Sequence, residues 1–375
     1  MKKYTIKLYD KAGTTFKGVL GQLDKYSFSM SINSGMGDFR MTIPENDNID
    51  LLDGIELWVQ DEDTAGLKIY SGYISSIQTN ISGDKYDMDI KALGYASRLA
   101  FTLDWDGAQA KMERTDDPTD IVKDIIDYYR ANVDNERINY VAGSTEDAGY
   151  SVTYVSESKL CIESLEAVRL LAGEDFYWFI DADNTLYWKA KPTTPTHKFK
   201  FQKDITEIHI SKDVNDIVNS LVFWNGLQDF DDNVISKLYY TGAGVTAYWD
   251  RFKRLTESGI TTEATADKLG EAYIEANKEP NISLWFIVKD GNLGDGYDIE
   301  SVKPGDTCAI RNFEDEDIYS GNLLITKVDY NPDYIKVYVE DKRALTGRVF
   351  SDVQRSIESL TYGDGVEYIT LEDVD

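Results

Sequence analysis

Gly54-Ile55-Glu56-Leu57-Trp58-Val59, then an acidic loop, then Ile69-Tyr70-Ser71-Gly72, recurs later as Gly305-Asp306-Thr307-Cys308-Ala309-Ile310, an acidic loop and Ile318-Tyr319-Ser320-Gly321. The first copy sets its Ile 15 positions after the opening Gly, the second 13. An alternating segment follows each, Tyr86 to Ile90 and Tyr334 to Val339. Upstream, Ile32 precedes Asp38 by six positions, before the alternating Phe39, Met41 and Ile43; Ile210 precedes Asp216 by six, before Ser220 to Trp224. From Asp to Gly the first copy spans 16 positions and the second 89, so the second is longer by 73. The pattern predicts one β unit, duplicated, whose later copy accepted an insertion.

The rest of the N-terminal third reads the same way. Tyr26, Phe28, Met30 and Ile32 alternate with serines, the period of a strand with one buried face. Pro44 ends the next alternating run because it cannot donate to a ladder. With Ile55–Val59, Lys68–Ile77 and Lys85–Ala92, residues 1–100 are expected to form a first antiparallel β barrel.

From about residue 101 the periodicity changes to helical. Asp117 is placed to cap a helix opening at Pro118, with Ile121, Ile125, Ile126 and Tyr129 on one face. A second helix is predicted from near Ser158, with Ile162, Leu165, Val168 and Leu171 inward and Gly173 as its stop. Phe176–Ile180 and Thr185–Lys189 flank Asp181-Ala182-Asp183-Asn184, a hairpin turn by composition. Residues 101–198 thus read as an α+β domain. A second barrel is expected from 199–226 and 298–346, around an insertion at 227–297 holding a helix from about Thr262 to Asn277 and an apolar strand, Ile282–Val288. A last helix and an acidic tail are expected at 347–375. The fold class is mainly β with α+β: two related antiparallel β barrels plus helix-containing α+β domains.

Composition narrows function. The 375 residues carry 39 Lys+Arg against 67 Asp+Glu, a net charge of −28, and contain no basic run. Such a surface repels phosphate, so stable nucleic-acid binding is not expected, although a polyanion could pass an acidic channel without sticking. Cys161 and Cys308 have no metal spacing and read as buried thiols. No apolar run reaches the ~18 residues of a membrane span, and Met1-Lys2-Lys3 leads directly into a strand. Assembly in a cytoplasm is expected.

No constellation for chemistry stands out. His197 and His209 are the only imidazoles, one near a Pro-containing linker and one inside an alternating strand, and both read as structural. Gly291, Gly294 and Gly296 do not join a strand to a helix start, so they read as a loop and not a phosphate cradle. Asp181 and Asp183 could form a carboxylate pair, but turn chemistry accounts for them. Tyr177-Trp178 and Tyr248-Trp249 could stack on sugars, but packing is the commoner use. No catalytic, cofactor-binding or metal residue is assigned, and no enzyme is expected.

The order of these elements resembles the bacteriophage baseplate hub or tail-associated protein family: a barrel with Ile32–Ile43 and Gly54–Gly72, a helix-containing domain, and a related barrel interrupted by an insertion. The resemblance covers nearly the whole chain and implies a homotrimer in which two barrels per subunit make six ring positions. Such a ring adapts a sixfold tail tube to a threefold tip or spike. Implied partners are a tail tube or distal tail protein and a tip or spike protein, with DNA or a tape measure protein passing through the lumen. The implied location is the virion tail, assembled in the bacterial host cytoplasm. Some members carry a C-terminal peptidoglycan-degrading domain, but only about 25 to 30 residues follow the second unit here, so a structural hub is expected. Contractile injection systems use similar hubs. The alternative is a carbohydrate-binding or glycoside-cleaving tail protein.

Overall fold

The computed structural model describes residues 3–340 apart from 21–24, 45, 47, 61–65, 83–84, 105–111, 134–136, 157–158, 173–175, 214–216, 225–234, 241–247, 257–266, 268–269, 272, 275–276, 279–280, 292–296 and 313–316. The terminal helix and tail expected at 347–375 lie outside the described residues, as does most of the helix expected from Thr262 to Asn277. The chain divides into two compact units, one comprising Met1–His209 and Leu284–Val339, the other containing Ile210–Ser283.

The first strands are β1 (Lys3–Tyr9), β2 (Phe16–Leu20), β3 (Tyr26–Ser31), β4 (Gly35–Pro44), β5 (Gly54–Gln60), β6 (Leu67–Ser82) and β7 (Lys85–Gly94). Alternation dictates them: Tyr26, Phe28 and Met30 are buried, as are Phe39, Met41 and Ile43 on β4. Their pairing order is β3-β4-β7-β6-β5-β1-β2. The register of β4 with β7 ends at Pro44↔Asp87, where the missing N–H stops the ladder.

After a 3-10 turn, Tyr95–Phe101, come β8 (Met112–Asp116), α1 (Pro118–Asn132), β9 (Val152–Ser156), α2 (Cys161–Leu171), β10 (Phe176–Ile180) and β11 (Leu186–Ala190). The predicted stripe of α1 is wholly buried. On α2 the inward residues are Cys161, Leu165 and Val168, followed by Ala172, while Leu171 is exposed, one position off the predicted stripe. β10 is buried on both faces: Tyr177 and Phe179 join the large sheet's core, and Trp178 and Ile180 join the core around the two helices. Because one strand serves both cores, the module expected at 101–198 belongs to the same compact unit as the first β strands.

Asp117 caps α1 as predicted, and its carboxylate accepts from the backbone N–H of Thr119 (2.9 Å), Ala148 (3.2 Å) and Gly149 (2.7 Å). Burial alone would raise this carboxyl, but the backbone donors outweigh burial and hold it below the ordinary value. A lowered folded-state pKa contributes stability that is complete above the unfolded value of about 4 and disappears as pH falls through the folded value. Asp117→Ala is expected to cost about 0.5–2 kcal/mol at neutral pH and markedly less at pH 2, measured by urea unfolding at the two pH values. An equal cost at both would contradict this assignment.

The later strands of the first unit are β12 (His197–Lys200), β13 (Ile205–Asp213), β17 (Asn281–Lys289), β18 (Thr307–Arg311), β19 (Asp317–Tyr330) and β20 (Tyr334–Glu340). Between β13 and β17 come β14 (Ser220–Trp224), β15 (Ser236–Tyr240) and β16 (Phe252–Thr256), a separate three-stranded sheet in the second unit. The later strands pair in the order β13-β17-β20-β19-β18-β12, which repeats β3-β4-β7-β6-β5-β1 place for place. Gly54 opens β5 and Gly305 precedes β18, so the quoted segments hold corresponding positions. One pairing differs, since β1 meets β5 antiparallel while β12 meets β18 parallel.

Two expectations change. β14, read as part of the second barrel, pairs with β15 and β16, while β17, read as part of the insertion, holds the place that β4 holds in the first half. Ser220–Trp224 and Asn281–Lys289 are both apolar strands, and only long-range pairing separates them. Further, no pairing among the described residues closes a barrel. β19 pairs antiparallel with β3, from Lys327↔Ser31 to Tyr330↔Phe28, giving one open path of strands. This pairing satisfies backbone groups that an isolated β3 edge would expose.

Two landmark glycines have identifiable reasons. A Cβ at Gly72 would strike the Leu93 carbonyl of the neighbouring strand. Gly305 has φ +91°, and a Cβ there would enter the Tyr177 ring.

Candidate interaction surfaces

The residues singled out for chemistry are packed into the framework. His197 is buried, its Nδ1 2.7 Å from the Tyr297 hydroxyl and its Nε2 3.0 Å from Asp306 Oδ2, bonds that tie β12 to the approach to β18. His209 stacks on Trp285 at 5.2 Å. Cys161 and Cys308 are free and buried, and burial pushes both thiols up to about 12. Asp181 Oδ1 accepts from Asp183 N (2.9 Å) and Thr185 N (3.0 Å), which is turn chemistry, while Asp183 pairs with Lys68 at 3.1 Å. Tyr177 and Trp178 are core residues and present no face to a sugar. Gly294 and Gly296 lie outside the described residues, and Gly291 N donates to Tyr297 O. Among the described residues no group of three His, Cys, Asp or Glu is placed to hold a metal ion.

What the first unit offers to solvent is a groove of about 870 Å³. Its walls are the β1–β2 turn (Asp10–Thr14), Leu52, Tyr73, the 3-10 residues Tyr95, Arg98, Phe101 and Thr102, and Val133 with Arg137. Phe101 is 76% exposed, and Leu52 and Val133 are also exposed. The Arg137 guanidinium lies 4.7 Å over the Tyr95 ring, and its Nη2 donates to Lys11 O at 2.9 Å. Asp10 Oδ1 accepts from Thr14 N and Thr15 N, which keeps its carboxylate ionised, and Lys11, Arg98 and Arg137 line the same groove.

A second feature is the end of the β6–β7 ribbon. The β5 partner of β6 stops at Tyr73, and the β4 partner of β7 stops at Asp87. Beyond them Ile81 pairs with Tyr86 and Ser82 with Lys85, with no third strand among the described residues. Ile81 is 66% and Tyr86 48% exposed, and as a cross-strand pair they share one face.

The second unit presents an apolar sheet face. Leu221 and Phe223 of β14 face its core. On the other side Tyr240 and Phe252 flank Ser220 in register, Leu238 flanks Val222, and Arg254 lies 4.3 Å over the Trp224 ring. Trp249, 81% exposed, has φ +61°. Buried Asn219 holds that turn, donating to Trp249 O (2.6 Å) and accepting from Arg251 N (2.8 Å). The sequence reading singled out Trp249 but passed over Leu238, Tyr240 and Phe252. The available signal was in β15, where Leu238 and Tyr240 alternate with Lys237 and Tyr239, so both faces carry apolar groups. Exposed apolar patches of this kind mark interaction sites.

No family model and no curated protein matches this sequence. Solved structures do share its fold, tail proteins among them. The tail protein from Neisseria meningitidis MC58 matches over 92% of this chain and 99% of its own, with TM-score 0.63 and 12% identity. The 43 kDa tail protein of prophage MuSo2 from Shewanella oneidensis matches over the same shares, with TM-score 0.65 and 11% identity. Prophage tail protein gp18 from Listeria monocytogenes EGD-e matches over 94% and 99%, with TM-score 0.53 and 9% identity. At these identities the likeness is one of fold.

Proposed function

We propose that this chain is a structural component of a phage-type tail, specifically a homotrimeric hub that adapts a sixfold tail tube to a threefold tip or spike. The observation that carries the reading is the repeated strand order, β3-β4-β7-β6-β5-β1 and β13-β17-β20-β19-β18-β12, within one chain. We read the two as copies of one ancestral unit. Three chains then supply six equivalent positions, the number a sixfold tube requires. The fold shared with solved tail proteins over almost their whole length supports the tail setting. A net charge of −28 suits a lumen that lets DNA or a tape measure protein slide. On this reading the protein acts without catalysis, joins a tail tube or distal tail protein on one side and a tip or spike on the other, and is assembled in the host cytoplasm into the virion tail.

Particle mass tests it. Sedimentation and light scattering are expected to give a trimer whose fraction rises between 0.01 and 0.1 M salt, as the screening length shrinks from about 30 Å to about 10 Å and like-charged subunits repel less. A monomer at all salt and protein concentrations, with tail partners present, would sink the hub. Specific glycan binding or release of reducing sugar would favour the carbohydrate-active alternative.

A further inference from the structure

We propose that the part of β6 beyond its β5 partner pairs antiparallel with β13 of a second copy of this chain, repeating between chains the pairing that joins β19 to β3 within one. β19 pairs with β18 as far as Leu324, and then with β3 from Lys327 to Tyr330. β6 holds the place of β19 in the first strand order, and β5 leaves it at Tyr73. Residues 78–81 therefore pair with β7 alone, and among the described residues their other edge meets no strand. β13 holds the place of β3 and ends the path, paired with β17 alone among the described residues. Each chain thus carries the two halves of one more seam, and a free strand edge leaves backbone donors and acceptors without a sheet partner.

The repeat fixes the register. An offset of 249 positions carries residues 69–72 onto 318–321, and one of 178 carries Ile32 and Asp38 onto Ile210 and Asp216. Applied to the β19–β3 register, these offsets set Gln78 opposite His209, Thr79 opposite Ile208, Asn80 opposite Glu207 and Ile81 opposite Thr206. No pair sets like charges against each other. Exposure marks the seam that a single chain lacks: Phe28, Met30, Val328 and Tyr330 are buried, whereas Ile81, Thr79 and Thr206 are exposed and Ile208 is half-buried. These side chains are smaller than the stacked rings of Phe28 and Tyr330, which suits a joint made on assembly. The two edges differ, so the contact is head to tail, and it closes at three chains if all six units are equivalent. The inference rests on the duplicated unit and the trimer of the proposed function, to which it adds the specific contact.

Full-length Asn80→Cys and Glu207→Cys chains, mixed and oxidised, test it directly. Both positions are exposed, and directly opposed Cα atoms of an antiparallel pair stand about 4.5–5.5 Å apart, within reach of a disulfide. Buried Cys161 and Cys308 do not compete. The expected product is an 80–207 disulfide between chains, identified by peptide mass. In chains without an added cysteine, Thr79→Lys is expected to weaken self-association at least about tenfold and to leave the thermal midpoint of the separated chain unchanged, since position 79 is exposed until the strands pair. An oligomer that yields no 80–207 link, or that Thr79→Lys leaves unaffected, overturns this inference and leaves the hub standing. A monomer throughout overturns both.

Discussion

Arg114→Met is expected to lower the unfolding free energy by about 3–5 kcal/mol, the cost of stranding a buried charge. Arg114 on β8 grips Asp104 with both guanidinium arms, Nη1 to Oδ2 at 2.9 Å and Nη2 to Oδ1 at 2.6 Å. The Asp104 side chain is wholly shielded from solvent. Its backbone is fixed as well: its N–H donates to Lys159 O and its carbonyl accepts from Ser156 Oγ. With this much holding it, the carboxylate has no route back to water once the arginine is gone. The pair also braces the segment just after Phe101 and Thr102, two walls of the groove. Urea unfolding followed by tryptophan fluorescence suits the measurement, because Trp178 and Trp188 sit in the adjacent core. The double variant Asp104→Leu, Arg114→Met is expected to recover most of the loss, since an apolar pair has no desolvation to compensate. A single-variant cost below 1 kcal/mol would contradict the buried-pair argument.

Tyr330→Ala is expected to cost about 3–5 kcal/mol, in the range of large aromatic deletions from a core. Tyr330 lies at the seam of the two strand sets, directly opposite Phe28 in the β19–β3 register, with rings 4.5 Å apart and nearly parallel. Phe28 continues the stack to Tyr26 at 6.2 Å and meets the Tyr70 ring tilted at 5.4 Å. The Tyr330 hydroxyl donates to Val302 O, and Tyr4 on β1 reaches Glu300 Oε1 at 2.9 Å across the same seam. Tyr330→Phe keeps the ring and removes only the donor, so it is expected to cost about 1–3 kcal/mol. Equal losses for Phe and Ala would mean that the hydrogen bond, not the packing, joins the two halves. If the halves are the two ring positions of a hub, this seam fixes their relative register.

Local patterns reached far in this chain. Alternation at Tyr26–Ile32 and Phe39–Ile43 located β3 and β4 because a strand's side chains change face at every residue, whatever it pairs with. Asp117 and Pro118 located the start of α1, since a cap satisfies backbone donors within a few residues of itself. The Gly54–Gly72 and Gly305–Gly321 segments fall on β5–β6 and on β18–β19, which hold the same places in the two strand orders. Partner choice was not legible. Ser220–Trp224 and Asn281–Lys289 have the same apolar character, and only pairing across the chain sends one to the small sheet and the other between β13 and β20. The joining of both halves by β19 and β3 depends on residues about 300 positions apart. The groove and the apolar ribbon end likewise arise from where neighbouring strands stop, and their residues read one by one as ordinary loop and strand. By itself the sequence marked the alternating strands of the first third, the helix α1 and the hairpin around Asp181; the tertiary structure decided which strands are neighbours and which apolar side chains stay uncovered, because burial belongs to contacts between distant segments.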